Sequence, residues 1–156
     1  MNILIERATE SDLPAILRLQ KTCYQSEADL YNDPAIPPLL QTLDSLKEEF
    51  SRSTFLKVTV GNSIVASIRA SEREGTVQIG KLIVQPEFQN KGIGRTLLTA
   101  VESANPQAVR FELFTGHKSL KNLHLYQTQG YVEFKRQPVS DSLTLVFLEK
   151  CRAQNM

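Results

Sequence analysis

The sequence predicts a single α/β (α+β) domain, a mixed and mostly antiparallel central sheet of about seven strands flanked by about four helices. Three observations predict it. Between residues 54 and 84, three apolar segments of strand length follow one another with short turns at Gly61-Asn62 and Glu74-Gly75, which makes antiparallel neighbours. From residue 91 onward helical and extended segments alternate, and a strand–helix–strand crossover sets its two strands parallel. The chain has 156 residues, 41% hydrophobic and 22% charged, an ordinary globular balance for one domain spanning 1–156. A chain of this length buries roughly 68–70% of its unfolded surface, so it needs no disulfides to build a core.

The elements follow in order. Residues 2–7 read as a short strand with Ile3 and Ile5 on one face. Thr9, Ser11 and Asp12 with Pro14 open a helix, and Leu13, Ile16, Leu17 and Tyr24 continue it at helical spacing. Asp29 to Leu40 carries Pro34, Pro37 and Pro38 and is expected as loop. A second helix is expected from Thr42 to Arg52, with Leu43, Leu46 and Phe50 facing inward. Strands at Thr54–Val60 and Ser63–Ala70 flank the Gly61-Asn62 turn, and Glu74-Gly75 turns the chain into Thr76–Val84. Pro86 ends that strand because it cannot donate to a ladder. A helix from about Lys91 to Ala104 carries Ile93, Leu97 and Val101 on one face. A strand at Ala108–Phe114, a helix at Ser119–Thr128 and a strand at Tyr131–Arg136 follow. Leu143–Glu149 closes the chain, apolar on both faces and so expected in the sheet interior.

Composition excludes several classes of function. Eighteen Lys and Arg against seventeen Asp and Glu leave a net charge of +1, which predicts neither a nucleic-acid nor a membrane-surface partner. Cys23 and Cys151 match no metal-ligand spacing, so no metal is expected, and two isolated thiols suit a reducing compartment. With no signal-like leader and no apolar run of about 18 residues, the expected location is the cytoplasm.

The most informative stretch runs from Leu82 to Arg95, an apolar strand, a proline stop, a polar turn with two glycines, then a helix. Gly92 and Gly94 remove two side chains where the turn enters the helix, exposing backbone N–H groups that have no partner in the first helical turn. With the positive end of the helix dipole and the charges of Lys91 and Arg95, the turn is suited to bind phosphate. Neither the Walker spacing nor the third glycine of the Rossmann turn is present.

The arrangement Gln89-Asn90-Lys91-Gly92-Ile93-Gly94 after a Val-x-Pro strand end resembles the acyl-CoA signature of the GNAT-type N-acetyltransferase superfamily. The segment from Thr115 to Tyr126, with Asn122 and Tyr126 on its helix and Gly130-Tyr131 beyond, resembles that family's second signature. The opening Ile-x-x-Ala-Thr-x-x-Asp is similar to its first strand and helix, so the resemblance covers essentially the whole chain, and the 82–95 block is its specific part.

The resemblance implies acetyl-CoA as co-substrate. It implies that the pyrophosphate is held by the backbone of Gln89, Asn90, Lys91, Gly92, Ile93, Gly94 and Arg95, with Thr96 close behind. Pantetheine would pair with the main chain of Leu82, Ile83 and Val84, in a slot where two strands diverge, and Asn122 would contact the cofactor arm. Tyr126 matches the tyrosine that protonates the departing thiolate, a near-thermoneutral transfer for a phenol of pKa about 10.

The chain departs from the family where some members carry a glutamate on the strand before the turn, since Thr76–Val84 contains no carboxylate. Glu72, Glu74 and Glu87 lie at the strand ends, and Glu112 on the next strand is the candidate base. A lysine amine is neutral about one time in 2,500 at pH 7, an α-amine about one time in six to eleven, so a site without a strong base suits an α-amine or other weakly basic amine, or a base acting through water. His117 and His124 lack acidic partners and read as surface residues. Tyr31 and Asp33, in the proline-rich loop, are the candidates for binding the acceptor.

The expected activity is transfer of acetyl from acetyl-CoA to the primary amine of a small molecule, peptide or protein, with a homodimer as a fair expectation for a fold with exposed sheet edges. A catalytically silent acyl-CoA sensor or an interaction module on the same fold is the alternative, and turnover of any amine distinguishes the two. Nucleotide binding at the same turn instead predicts that ATP or NAD stabilises the chain at least as well as acetyl-CoA.

Overall fold

The computed structural model describes residues 2–152. Among them the expected strand and helix order is present, with one added helical turn. Strand β1 (Leu4–Arg7) is followed by a 3₁₀ turn at Glu10–Asp12 and by helix α1 (Leu13–Leu30). Thr9 and Asp12 form a reciprocal capping box at that entry, Thr9 N donating to Asp12 Oδ2 at 2.8 Å. The segment expected as loop from Asp29 to Leu40 is shorter than that: α1 runs on to Leu30, and Pro37–Leu40 forms helix α2. Pro37 and Pro38 sit in the first helical turn, where the missing N–H has no intrahelical acceptor to lose, so they start a helix instead of excluding one.

Helix α3 (Leu43–Ser51) is capped by Thr42, whose hydroxyl accepts Ser45 N at 3.1 Å. Strands β2 (Thr54–Val60), β3 (Ser63–Arg73) and β4 (Thr76–Val84) are followed by helix α4 (Ile93–Ala104). The chain ends with β5 (Arg110–Gly116), α5 (Leu120–Thr128), β6 (Val132–Pro138) and β7 (Thr144–Cys151). Glu74 and Gly75 both have positive φ, the conformation a two-residue hairpin needs to match the twist of its strands.

The seven strands form one sheet in the order β1-β2-β3-β4-β5-β7-β6, antiparallel throughout except for β4 beside β5. β7 lies between β5 and β6, as its two apolar faces require, with Val146 and Leu148 fully buried. One sheet face packs on α4 and α5, with Val77, Ile79, Ile93, Leu97, Phe111 and Tyr131 among its core. The other packs on α1 and α3 around Leu13, Ile16, Leu46 and Phe55. Each fully buried aliphatic side chain contributes about 1.5–3 kcal/mol by leaving water, so both cores are substantial.

The parallel pair is short. β4 and β5 share only the rungs Thr76–Arg110, Val77–Phe111 and Gln78–Glu112, although both strands continue well past them. The cause lies on the other edge of β4. Between the rungs Arg69–Gly80 and Ser67–Ile83, β4 carries one residue more than β3, a bulge with Lys81 in the left-handed region at φ 46°. A bulge bends its strand and raises the local twist, so β4 turns away from β5 and a wedge opens between them.

Candidate functional site

At the wide end of that wedge β4 leads through a 3₁₀ turn at Pro86–Phe88 into the 89–96 turn and α4. Asn90 and Gly92 both lie in the left-handed region, at φ 63° and 82°. Alternating such residues with ordinary ones turns successive N–H groups toward one side, a concavity that binds anions. None of the amides from 90 to 95 donates to an acceptor among the described residues; only Thr96 N, at 3.0 Å from Gly92 O, closes the first helical bond. Gln89 folds the turn back by donating from Nε2 to Val84 O at 3.0 Å. Lys91 and Arg95 are exposed beside the amides.

The two glycines do different things here. A Cβ at Gly92 would meet nothing within 4 Å, so what the position requires is its positive φ. Gly94 has ordinary φ, but a Cβ there would stand 3.1 Å from Leu125 Cδ2 of α5 and 3.6 Å from Leu82 Cδ2. Gly92 therefore shapes the amide concavity, and Gly94 lets α4 pack closely on α5 and β4.

Leu82, Ile83 and Val84 form the part of β4 beyond its last rung with β5, paired to β3 on one edge only. Val84 O also accepts the Cys23 thiol at 3.3 Å, and burial pushes that thiol up to about 11, so it stays protonated near neutrality. Across the wedge, α5 supplies Asn122, whose Nδ2 donates to Thr115 Oγ1 at 3.3 Å, and Tyr126, which is buried. The Tyr126 hydroxyl makes no hydrogen bond among the described residues and is not sealed from solvent. Burial raises its pKa well above a phenol's usual value, and nearby Tyr24 and Glu27 push the same way.

Tyr24 and Glu27, neither singled out by the sequence, are thus the titratable groups whose charge acts on Tyr126. Tyr24 reads from sequence only as one more apolar position on α1. Its phenol is also raised chiefly by desolvation, and Arg69, Glu27, Cys23 and Glu49 all act on it electrostatically. Glu27 is half-buried and accepts the Ser119 hydroxyl at 2.7 Å, so its carboxylate has a fixed orientation.

Tyr31 is 4% exposed and stands behind this cluster as a wedge between the end of α1 and the β5–α5 loop. Its hydroxyl accepts Lys118 N at 2.9 Å and lies 3.2 Å from Ser119 Oγ. Asp33 is half-buried, and its Oδ1 accepts Ala35 N at 2.9 Å, shaping the turn before α2. Any side chain at Gly116 would overlap the Tyr31 hydroxyl. Gly116→Ala is expected to cost about 2–3 kcal/mol by overpacking, seen as a fall in Tm of roughly 4–12 °C. Tyr31→Phe in the same chain should recover part of the loss; equal Tm for wild type and Gly116→Ala would refute this packing.

Glu112 sits on the last β4–β5 rung, at the closed end of the wedge. It is held by Arg110 Nη1 at 2.5 Å and accepts Gln78 Nε2 at 3.1 Å. His117 is half-buried with Nδ1 accepting Thr144 N at 3.0 Å, and His124 is exposed on α5. No group of three or more metal-ligating side chains occurs among the described residues, and no helix there is long and apolar enough to cross a membrane.

A family model described as "Acetyltransferase (GNAT) domain" matches residues 29–151. The chain therefore belongs to the GNAT acetyltransferases, acyltransferases whose acyl donor is acetyl-CoA. The fold is similar to that of the ribosomal-protein-S18-alanine N-acetyltransferase from Escherichia coli, with TM-score 0.82, 15% identity and coverage of 99% of this chain and 97% of that one. It is also similar to the PaiA N-acetyltransferase from Thermoplasma acidophilum in complex with coenzyme A, with TM-score 0.78, 17% identity and coverage of 97% and 100%. Among curated proteins, "UPF0157 protein YqkA" of Bacillus subtilis (strain 168) is 25% identical over 130 residues. That match takes in 83% of this chain but 37% of the longer relative.

Proposed function

We propose that this chain transfers an acetyl group from acetyl-CoA to a primary amine by direct attack, with Tyr126 as general acid. The observation that carries the reading is the run of unpartnered amides from 90 to 95 at the start of α4, continuous with the free edge of β4 where it leaves β5. A pyrophosphate needs several convergent donors and a favourable field, and the turn offers both. An extended amide chain such as pantetheine needs a strand edge that no neighbouring strand covers, and the stretch Leu82, Ile83 and Val84 beyond the last β5 rung supports that reading, with Val84 O already taken by Gln89 and Cys23.

When bound, acetyl-CoA supplies a thioester carbonyl: the amine nitrogen forms the new C–N bond, the C–S bond breaks, and the sulfur leaves as thiolate. Tyr126 gives its proton to that sulfur. Its raised pKa keeps the proton in place until it is needed, and burial raises the thiolate's basicity in the same apolar slot, so the transfer stays close to balanced. Glu27, oriented by Ser119 and near both tyrosines, takes the proton the amine loses, directly or through water. Glu112, neutralised by Arg110 at the closed end, instead braces the vertex of the wedge.

Acetyl-CoA at about 100 times its Kd should stabilise the fold by about 2.7 kcal/mol, a Tm rise of roughly 5–10 °C for this size. ADP and NAD serve as controls. Gly92→Glu places a strained φ and a negative charge at the amides and should abolish the rise. A well-folded wild type that acetyl-CoA does not shift would overturn the proposal.

A further inference from the structure

A second feature of this face lies on the opposite side of β4 from the tyrosine helix. A shallow, open depression of about 410 Å³ lies there, lined by Pro37, Leu40, Gln41, Thr42, Ser45 and Lys81. A larger cavity of about 530 Å³, beside Arg7, Glu72 and Asn105, lies at the far end of the sheet and meets none of the slot residues.

Beneath the smaller cavity is a polar cluster that the reaction so far does not use. Arg69, 3% exposed on β3, is held by both Glu49 oxygens at 3.1 Å, by Gln41 Oε1 at 3.4 Å and by Gln20 Oε1. Its planar guanidinium also lies 4.8 Å over Phe55, and both terminal nitrogens are engaged, so it is not free to bind a ligand. Glu49 further accepts Gln41 Nε2 at 3.1 Å.

Lys81 is different. Its side chain is 27% exposed, and its nearest carboxylate oxygen, on Glu49, is 3.8 Å away, beyond hydrogen-bond distance. An ammonium has three donors, and this one finds no acceptor among the described residues. Desolvation depresses its pKa, and Arg69 depresses it further. Counting charges, Arg69 and Lys81 face one carboxylate, Glu49, so the cluster carries one uncompensated positive charge at the cavity wall. Lys81 also carries the left-handed φ of the β4 bulge, which holds its backbone where the wedge opens.

Lys81 sits at the bulge that opens the wedge and directly precedes Leu82 on the β4 edge that β5 does not cover. Helix α1 serves both regions, with Gln20 holding Arg69 beneath the cavity, Cys23 donating to Val84 O and Glu27 accepting the Ser119 hydroxyl. A molecule seated against Lys81 therefore lies beside the wedge.

We propose that Lys81 and the α2–α3 cavity bind a carboxylate on the acceptor, so that the substrate class is an amine that also bears a carboxylate, such as a free amino acid. This rests on the reading of the chain as an acetyl-CoA:amine transferase. A single uncompensated charge matches a carboxylate monoanion, whereas a phosphate dianion would leave one charge unmatched in a half-buried site. The Thr42 and Ser45 hydroxyls add neutral donors, and Pro37 and Leu40 add an apolar wall for the remainder of the acceptor.

The test is steady-state acetylation of free amino acids, their α-carboxamides and the matching decarboxylated amines, together with acetyl-CoA binding by thermal shift. An α-carboxamide has the less basic amine, so amine availability alone favours the amides. The pocket should reverse this, giving kcat/KM for acids above amides by roughly 10–100-fold, the range of a charge-assisted contact. Lys81→Met and Lys81→Gln, each checked for a cooperative unfolding transition, should bring the ratio to about one or below, and Lys81→Arg should keep it. Amides used as well as acids, or a ratio unmoved in Lys81→Met, overturns the carboxylate site. Acetyl-CoA binding without turnover of any acid overturns it too and leaves the cofactor reading intact. Failure to bind acetyl-CoA overturns both.

Discussion

Tyr126→Phe is expected to lower kcat by about 10²–10⁴-fold, the range for loss of a positioned general acid, while KM for acetyl-CoA changes little. The substitution removes one oxygen that makes no hydrogen bond among the described residues, so the core around α5 and Tyr131 should keep its packing. Release of free CoA thiol, followed at saturating acetyl-CoA, reads the effect directly. Thioesters with a more acidic thiol leave without a proton, so an activated acetyl thioester should recover much of the lost rate. A Tyr126→Phe enzyme with wild-type kcat would move the acid elsewhere, and Tyr24, the desolvated phenol whose charge acts on Tyr126, would then be the group to substitute.

Glu49→Ala is expected to destabilise the fold by about 3 kcal/mol, the lower end for breaking a buried ion pair, because water reaches Glu49, whose side chain is 21% exposed. That corresponds to a fall in Tm of roughly 6–12 °C. The loss comes from Arg69, left charged at 3% exposure with two neutral glutamines and the Phe55 ring as partners among the described residues. Replacing both members, Arg69→Met with Glu49→Leu, removes the stranded charge and should return most of the stability, and a double variant no more stable than Glu49→Ala would refute the argument.

The pair also sets a pH dependence. Burial acts to raise the pKa of Glu49, but Arg69, Gln41 and Lys81 outweigh it, so its folded value lies below the ordinary 4.5. A depressed folded pKa means the contribution is fully present above 4.5 and is lost as pH falls through the lower folded value. Wild type should therefore lose more stability than the double variant in acid below that point.

Much of the fold was legible because its signals are local. The two-residue turns at Gly61-Asn62 and Glu74-Gly75 determine which strands pair, and the alternation after residue 91 determines the parallel crossover. The expected antiparallel and parallel partners are those observed, and the boundaries of β2 and β4 coincide with the expected ones. The segment from Asp29 to Leu40 was misjudged because proline has two meanings, breaker inside a helix and starter in its first turn. Sequence alone does not distinguish them without knowing where the turn begins.

At the site, the sequence by itself determined the glycine turn, since positive φ at Gly92 and free amides at a helix start are properties of one short segment. It also determined that Tyr126 lies on a helix with Asn122, one turn away. Tertiary structure alone decided the rest. Glu27 meets Ser119 across 92 positions of chain, and Tyr31 reaches Lys118 across 87. The bulge that opens the wedge sits at Lys81, a residue with no preference for the left-handed region, so no local signal marks it. The charge left over at the acceptor cavity exists only because α1, α3, β3 and β4 bring Gln20, Glu49, Arg69 and Lys81 into one place. Backbone conformation is set by neighbours in sequence, whereas electrostatic balance is set by neighbours in space, and this chain's chemistry depends on both.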